Sequence, residues 1–596
     1  MIRTPLRPLA RILSARDKGE NPDAIERENI RLRHEHMRDR ARRRAEGRLL
    51  MLGAMFFCAF ALIGGRMGVL AQSEAAKPRA SAAGSQIYAQ RADIVDRKGR
   101  ILATNFDTHS LYANPQDMIE PERAAKALAK IFPDLKLERL LKDFTGARKF
   151  VWVKKKISPE QKQAVHEIGE PGLLFGPREM RLYPNGSLAA HVLGGAGFGR
   201  EGVHAAEVIG VAGVEKFYDE RLRDPAQGHK PLELSLDLTV QDVVEQVLYG
   251  GMRLLNAKGA AAVVMDVQTG EVIALASLPD FDPNDRPRPL VAGEGEAADS
   301  PLFNRAVQGV YELGSTFKIF AIAQALELGL VNPDTIINTS GPMKVGGQSI
   351  GEFKNKDYGP LSATDIIVKS SNRGTGRIAL QVGVKRQQAF LKSLGFFTPT
   401  PLQIIEAKGG QPLLPQRWTD LSTVTISYGH GLSTSPLHLA AGYAAIANGG
   451  RYIEPTLLRR ETPVEGTRVM SRQTAQSALL MLRKVVTSGT ASMAGVEGYP
   501  VGGKTGTADK LKPRGGYYED KVIATFASVF PTTDPKYVLV VTLDEPSENS
   551  GSKPRRTAGW TAVPVSAEIT ARIAPLLGLR PTVETSKWTD VTHTSN

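Results

Sequence analysis

The chain has 596 residues, 42% hydrophobic and 23% charged, enough for several domains with ordinary globular cores. A single cysteine, Cys58, excludes an intramolecular disulfide, so the folded parts are held by packing. The formal net charge of +14 is uneven: residues 1–48 carry 14 Lys/Arg against 8 Asp/Glu, a local +6.

A basic arm of this kind can bind nucleic acid. Here it runs directly into Leu49–Gly65, LLMLGAMFFCAFALIGG, which contains no charge. Cytoplasmic flanks of membrane spans are rich in Lys and Arg, so arm and run together read as topology, with no nucleic-acid partner. As a helix the run reaches about 26 Å, slightly short of a ~30 Å hydrocarbon core. Continuing past Arg66, whose head can snorkel outward, lengthens it to Ala71. The arm is long for a signal-peptide n-region and no cleavage site stands out after Ala71. The sequence therefore predicts a cytoplasmic basic arm (1–48) and an uncleaved signal-anchor helix (49–71), with the bulk outside.

Residues 72–88 are rich in Ala, Ser and Gly and read as a linker. A mixed region, 89–231, follows, with a helix near Glu120–Phe132 and another at the Ser158-Pro-Glu-Gln cap. From 232 to 577 the texture changes. A strand and an amphipathic helix lead into a hairpin, AAAVVMDVQTGEVIALASLP. A helical section spans 320–450, two β-rich runs (VIATFASVF, YVLVVTLDE) follow, and a helix beginning at Pro564 closes the domain. The pattern predicts an α+β domain with an antiparallel sheet flanked by helices and an all-helical part. Residues 578–596 read as a polar tail.

Three motifs carry chemistry: Ser315-Thr-Phe-Lys318, Ser370-Ser-Asn372 and Lys504-Thr505-Gly506-Thr507. Ser315 is read as opening the helix STFKIFAIAQALELG, where free N–H groups and the helix dipole favour an alkoxide and an adjacent oxyanion. Lys318, three residues on, shares its face. A serine hydroxyl needs a base, and Lys318 can serve if burial and a second cation, Lys504, depress its pKa. Ser370 can relay a proton towards a leaving amine, and Asn372 can orient Lys318 and substrate. Lys504–Thr507 is expected on an edge strand, with Gly506 admitting a ligand backbone. Thr505, Thr507 and the Lys504 charge suit a terminal carboxylate. No metal or cofactor is called for.

Other patterns compete. Gly498–Thr505 satisfies a P-loop string, yet its flanks supply neither a buried strand before it nor a helix after it. Gly347-Gln-Ser-Ile-Gly351 matches a nucleophile elbow, but in a polar, Gly-rich hairpin or loop. Ser550-Gly-Ser-Lys553 repeats S-x-x-K in a polar loop with no helix to hold it. A membrane-tethered NTPase and a non-catalytic scaffold are the remote alternatives.

The three motifs are the signature set of penicillin-binding proteins and class A β-lactamases. Over nearly its whole length the chain resembles class B penicillin-binding proteins. RADIVDRKGRILATN (91–105), RLYPNGSLAAHVLG (181–194) and GVEKFYDERL (213–222) are similar to that family's pedestal, or dimerisation-type, domain. FNRAVQGVYELGSTFK (303–318) and ISYGHGLSTSPLHLA (426–440) are similar to its transpeptidase domain. Leu313 and Ala92 depart from the family's usual proline and glycine. SLYANPQDMIEP and its downstream pieces look closer to the division enzyme, FtsI type, than to the elongation enzyme. The resemblance implies a serine-type D,D-transpeptidase of septal peptidoglycan synthesis, anchored in the inner membrane with a periplasmic catalytic domain. Ser315 would be acylated by stem pentapeptides with release of D-Ala, and the Ser315 and Thr507 N–H groups would form the oxyanion hole. β-Lactams would be inhibitors, and an FtsW-type glycan polymerase and other division proteins partners.

Overall fold

The computed structural model describes residues 7–72, 91–201, 206–227, 230–291, 293–512 and 515–582. Most of the linker expected at 72–88 and of the tail expected after 577 lies outside the described residues. The chain divides into two compact units, Met1–Ser85 and Gln86–Asn596.

In the first unit a short helix, Arg7–Asp17, precedes a 51-residue helix, Pro22–Gln72. The basic arm is helical over Arg7–Asp17 and again from Pro22 onward. Exposed Arg–Glu pairs one turn apart, such as Arg31–Glu35 and Arg42–Glu46, line it, each adding a few tenths of a kcal/mol at about 0.2–0.5 per pair. Among the described residues this is the one helix long and apolar enough to cross a membrane.

The second unit begins with an antiparallel sheet. Ile101–Ala113 pairs with Val151–Ile157 on one side and Leu173–Leu182 on the other. Helices Pro121–Ile131, Leu137–Phe144 and Pro159–His166 pack on it over a core containing Leu111, Leu128, Phe132 and Phe144. The Ser158–Gln161 capping box is formed. A buried ion network ties the ends of this region together. Arg91 bonds Glu215 at 2.6 Å and Asp219 at 2.7 Å, while Arg181 takes the other Glu215 oxygen at 2.6 Å. Every charge there has an opposite partner, the condition under which burial is tolerated.

The remainder is built on a five-stranded antiparallel sheet of β1 (Gly259–Asp266), β2 (Val272–Leu278), β3 (Gly502–Leu511), β4 (Tyr517–Phe530) and β5 (Tyr537–Asp544), in the order β3-β4-β5-β1-β2. The runs read as two strands near the C-terminus are the central pair. β1, β2 and β5 are buried along almost their whole length, because helices cover both faces. α1 (Leu238–Leu254) and α6 (Ala562–Leu576) pack against the sheet and each other; α2 (Lys318–Glu327), α4 (Pro436–Ala447) and α5 (Arg472–Ser488) lie in the same continuous core. α6 starts two residues before Pro564, which is harmless because a first-turn residue needs no intrahelical N–H. The middle section, which also holds α3 (Asn372–Val382), is mostly helical but contains two short ribbons, Ile336–Asn338 with Pro360–Ser362 and Met343–Val345 with Gln348–Ile350.

Candidate active site

α2 is apolar on every side and buried from Lys318 to Ala325. Such a helix has no wet face, so Lys318 at its first position is carried into the interior. The residues before it do not continue the α-helix. Gly314–Phe317 form a 3₁₀ turn, with Gly314 at φ +54°. Ser315 therefore lies in a tight turn ahead of α2, and it alone of residues 312–320 is only half-buried. Two contacts fix the turn: Tyr443 donates to the Thr316 carbonyl at 2.8 Å, and Thr316 Oγ1 to the Leu313 carbonyl at 2.8 Å. Phe317, Phe320, Phe396 and Tyr443 pack beneath it in edge-to-face and tilted pairs, with centroids 5.0–5.6 Å apart.

β3 is an edge strand, paired with β4 alone. Alternation puts Lys504 and Gly506 on one face and Thr505 and Thr507 on the other. Gly506 also meets a demand from within the fold. A Cβ there would lie 2.2 Å from the Leu313 carbonyl oxygen, so the chain's own serine turn approaches the strand closely at this position. Likewise a Cβ on Gly314 would stand 2.9 Å from the Thr507 oxygen and 3.1 Å from its nitrogen. Strand and serine turn are locked together through two glycines.

The second motif is a break between helices. Ser362 caps Ala363–Lys369 by accepting from Asp365 N–H at 3.0 Å. Ser370 ends that helix at φ 62°, ψ 44°, and Ser371 caps α3, accepting from Gly374 N–H at 3.0 Å. A non-glycine residue in the left-handed region costs about 1 kcal/mol or more, and here it turns the Ser370 carbonyl and hydroxyl onto the lysines.

Lys318 Nζ lies 2.6 Å from the Ser370 carbonyl, 2.7 Å from Asn372 Oδ1 and 3.0 Å from Ser370 Oγ. Lys504 Nζ lies 3.0 Å from the same Oγ and 3.1 Å from the Thr505 carbonyl. Burial pushes Lys318 well below the ordinary lysine value, the Lys504 charge pushes it the same way, and Glu352 pulls back. Burial alone brings Lys504 down to about 7. A neutral Lys318 has two N–H groups and one lone pair. The Ser370 carbonyl and Asn372 Oδ1 can only accept, so they take the two N–H groups. The lone pair is then left for a hydroxyl proton, from Ser370 or Ser315. With Lys318 neutral, Ser370 Oγ can accept from Lys504 and donate to Lys318.

Sequence reasoning missed Glu352. Buried, it accepts from Ser371 Oγ at 2.6 Å, Asn372 N–H at 2.9 Å and Arg373 N–H at 3.0 Å. It caps α3 and sits at the dipole's positive end. Gly351 beside it accepts from Asn372 Nδ2 at 3.0 Å. The apparent nucleophile elbow is thus the hairpin loop that braces the second motif. Thr505 Oγ1 meets Thr490 Oγ1 at 2.8 Å, and Thr507 Oγ1 accepts from Ala558 N–H at 3.0 Å. In the P-loop string, Gly502–Thr505 are already strand, so their N–H groups open no helix. Ser550 and Lys553 are exposed in a turn.

The family profile for the penicillin-binding protein transpeptidase domain matches residues 260–561, and that for the penicillin-binding protein dimerisation domain matches residues 86–235. The chain belongs to the class B penicillin-binding proteins. A probable peptidoglycan D,D-transpeptidase FtsI of Caulobacter vibrioides is 34% identical to this penicillin-binding protein over 93% of each chain. Peptidoglycan D,D-transpeptidase FtsI of Escherichia coli is 28% identical over 83% of this chain and 85% of its own. Penicillin-binding protein 3 of Mycobacterium tuberculosis, solved with ampicillin, shares 27% identity. It superposes with a TM-score of 0.63 over 84% of this chain and 97% of its own.

Proposed function

We propose that this penicillin-binding protein is the septal peptidoglycan D,D-transpeptidase of its cell. Lys318 takes the Ser315 proton as Oγ attacks the penultimate D-Ala carbonyl of a stem pentapeptide. Ser370 passes that proton to the leaving D-Ala amine, and Asn372 orients lysine and substrate. Lys504, Thr505 and Thr507 receive the terminal carboxylate against the β3 edge, and the Ser315 and Thr507 N–H groups hold the oxyanion. An amino group of a neighbouring stem then takes the acyl group. The observation that carries the reading is the Ser370 hydroxyl held 3.0 Å from both lysine nitrogens, one of them beside the serine turn.

The division role rests on the FtsI relatives at 34% and 28% identity. The N-terminus lies in the cytoplasm on the strength of the basic arm, with the catalytic unit periplasmic. By family analogy an FtsW-type glycan polymerase lies beside the anchor helix. Fluorescent penicillin labels wild type and not a folded Ser315→Ala protein; equal labelling would end the assignment of Ser315. Depletion of the protein yields filaments, and round cells would point to elongation instead.

A further inference from the structure

A second group of side chains stands against the serine turn. Glu312 lies three residues before Ser315 and is buried, its side chain 5% exposed. It accepts from Gly431 N–H at 2.6 Å and from the Tyr517 hydroxyl at 3.0 and 3.1 Å, and meets His430 Nδ1 at 3.1 Å. The carboxylate only accepts, so Nδ1 carries a proton, and in the neutral ring the lone pair is then on Nε2. Nε2 makes no hydrogen bond among the described residues, and 31% of the His430 side chain is exposed. The imidazole is held by a carboxylate in the way an Asp holds the histidine of a serine protease.

The loop that carries His430 packs on the residue before the nucleophile. Gly314 N–H donates to the Gly429 carbonyl at 3.2 Å, and a Cβ on Gly429 would lie 1.9 Å from the Gly314 oxygen. The 428–431 loop is therefore pressed onto the residue before Ser315. Tyr428 and Tyr517 flank the His430 ring, at 5.6 and 6.5 Å between centroids, and Asp509 acts on Tyr517 from beyond. Burial and the Glu312 charge push Tyr428 up to about 12 and Tyr517 higher. Both phenols stay protonated near neutral pH, so neither is a base.

We propose that His430, positioned by Glu312, removes the surplus proton from the acceptor ammonium before it attacks the acyl-enzyme. The proposal rests on Ser315 as the acylated residue. An aliphatic amine is an ammonium at neutral pH. As the acceptor nitrogen bonds the ester carbon and the C–Oγ bond breaks, a neutral amine gives up one proton, which returns to Ser315 Oγ through Ser370 and Lys318. An ammonium brings one proton more than this relay can place. His430 Nε2 takes it, and the imidazolium, paired with Glu312, later releases it to solvent.

The test uses the full-length enzyme acylated by a peptidyl thioester, with the ester on Ser315 verified by mass spectrometry. Aminolysis is followed at neutral pH with two acceptors, a D-amino acid (an ammonium) and hydroxylamine (uncharged). In His430→Gln the ratio of the D-amino acid rate to the hydroxylamine rate falls about 10²-fold, the scale of general base catalysis. Glu312→Gln lowers the same ratio. A merely structural role lowers both rates together, and an unchanged ratio or a parallel fall in His430→Gln overturns the proposal. Failure to acylate Ser315 in wild type would sink the Ser315 reading, and this proposal with it.

Discussion

At the scale of single residues the site is a problem in proton placement. Two lysine nitrogens share one serine hydroxyl at 3.0 Å each, in a region where neither side chain reaches water. Both cannot hold a full charge cheaply, and the pair titrates together. Desolvation and the Lys504 charge depress Lys318, so its base form exists well below the ordinary lysine value of 10.5. A base with a lowered pKa gains activity as pH rises through that lowered value and none beyond it. β-Lactam acylation is therefore expected to rise on the acid side and level off well before the ordinary lysine range is reached. A stopped-flow profile that climbed steadily to pH 10 would remove Lys318 as the base. Lys318→Ala should cost about 10³-fold in the plateau rate.

At the scale of elements, the motifs work because turns and strands are braced against each other. α3 begins at Asn372, and its first N–H groups are satisfied by one carboxylate, Glu352. Neutralising that carboxylate has two consequences. Charge-assisted hydrogen bonds contribute about 1.5–3 kcal/mol each, so Glu352→Gln should lower stability by about 2 kcal/mol, read by thermal unfolding. Glu352 also raises the Lys318 pKa; without its charge that pKa drops further. The acid limb of the acylation profile should then move to lower pH in the variant, and a shift to higher pH would contradict the assigned coupling. These braces also mark what the sequence could disclose. That Lys318, Ser370, Asn372 and Lys504 come together behind Ser315 was legible because the chemistry read into the three motifs needs those side chains in one place. The hairpin β1–β2, the β4–β5 pair and the cap at Ser158 were legible because periodicity and capping are local. Glu352 was not, since its partners are 19 to 21 residues away. Nor was the role of Gly506, whose neighbour Leu313 is close only after folding. The 3₁₀ turn at Ser315 escaped for the same reason: Gly314 has its left-handed backbone because β3 and the 428–431 loop press on both sides of it.

At the scale of the whole molecule, chemistry and anchoring are separable. Every residue placed in the site, from Glu312 to Ala558, lies in the unit Gln86–Asn596, and so do both family domains, residues 86–235 and 260–561. The buried Arg91–Glu215–Arg181 network closes the base of the first of these domains from within the same unit. The helix Pro22–Gln72, in the other unit, carries the apolar stretch long enough to cross a membrane. A chain starting at Gln86 is therefore expected to stay in the soluble fraction and to be acylated by fluorescent penicillin within about threefold of the full-length rate, a difference under 1 kcal/mol in barrier. Full-length protein is expected in the membrane fraction, resisting high salt but released by detergent, as a spanning helix requires and a basic arm held to lipid headgroups does not. Release by salt alone would reduce the basic arm to an electrostatic tether. A soluble but unlabelled Gln86 chain would mean that the first unit helps shape the site.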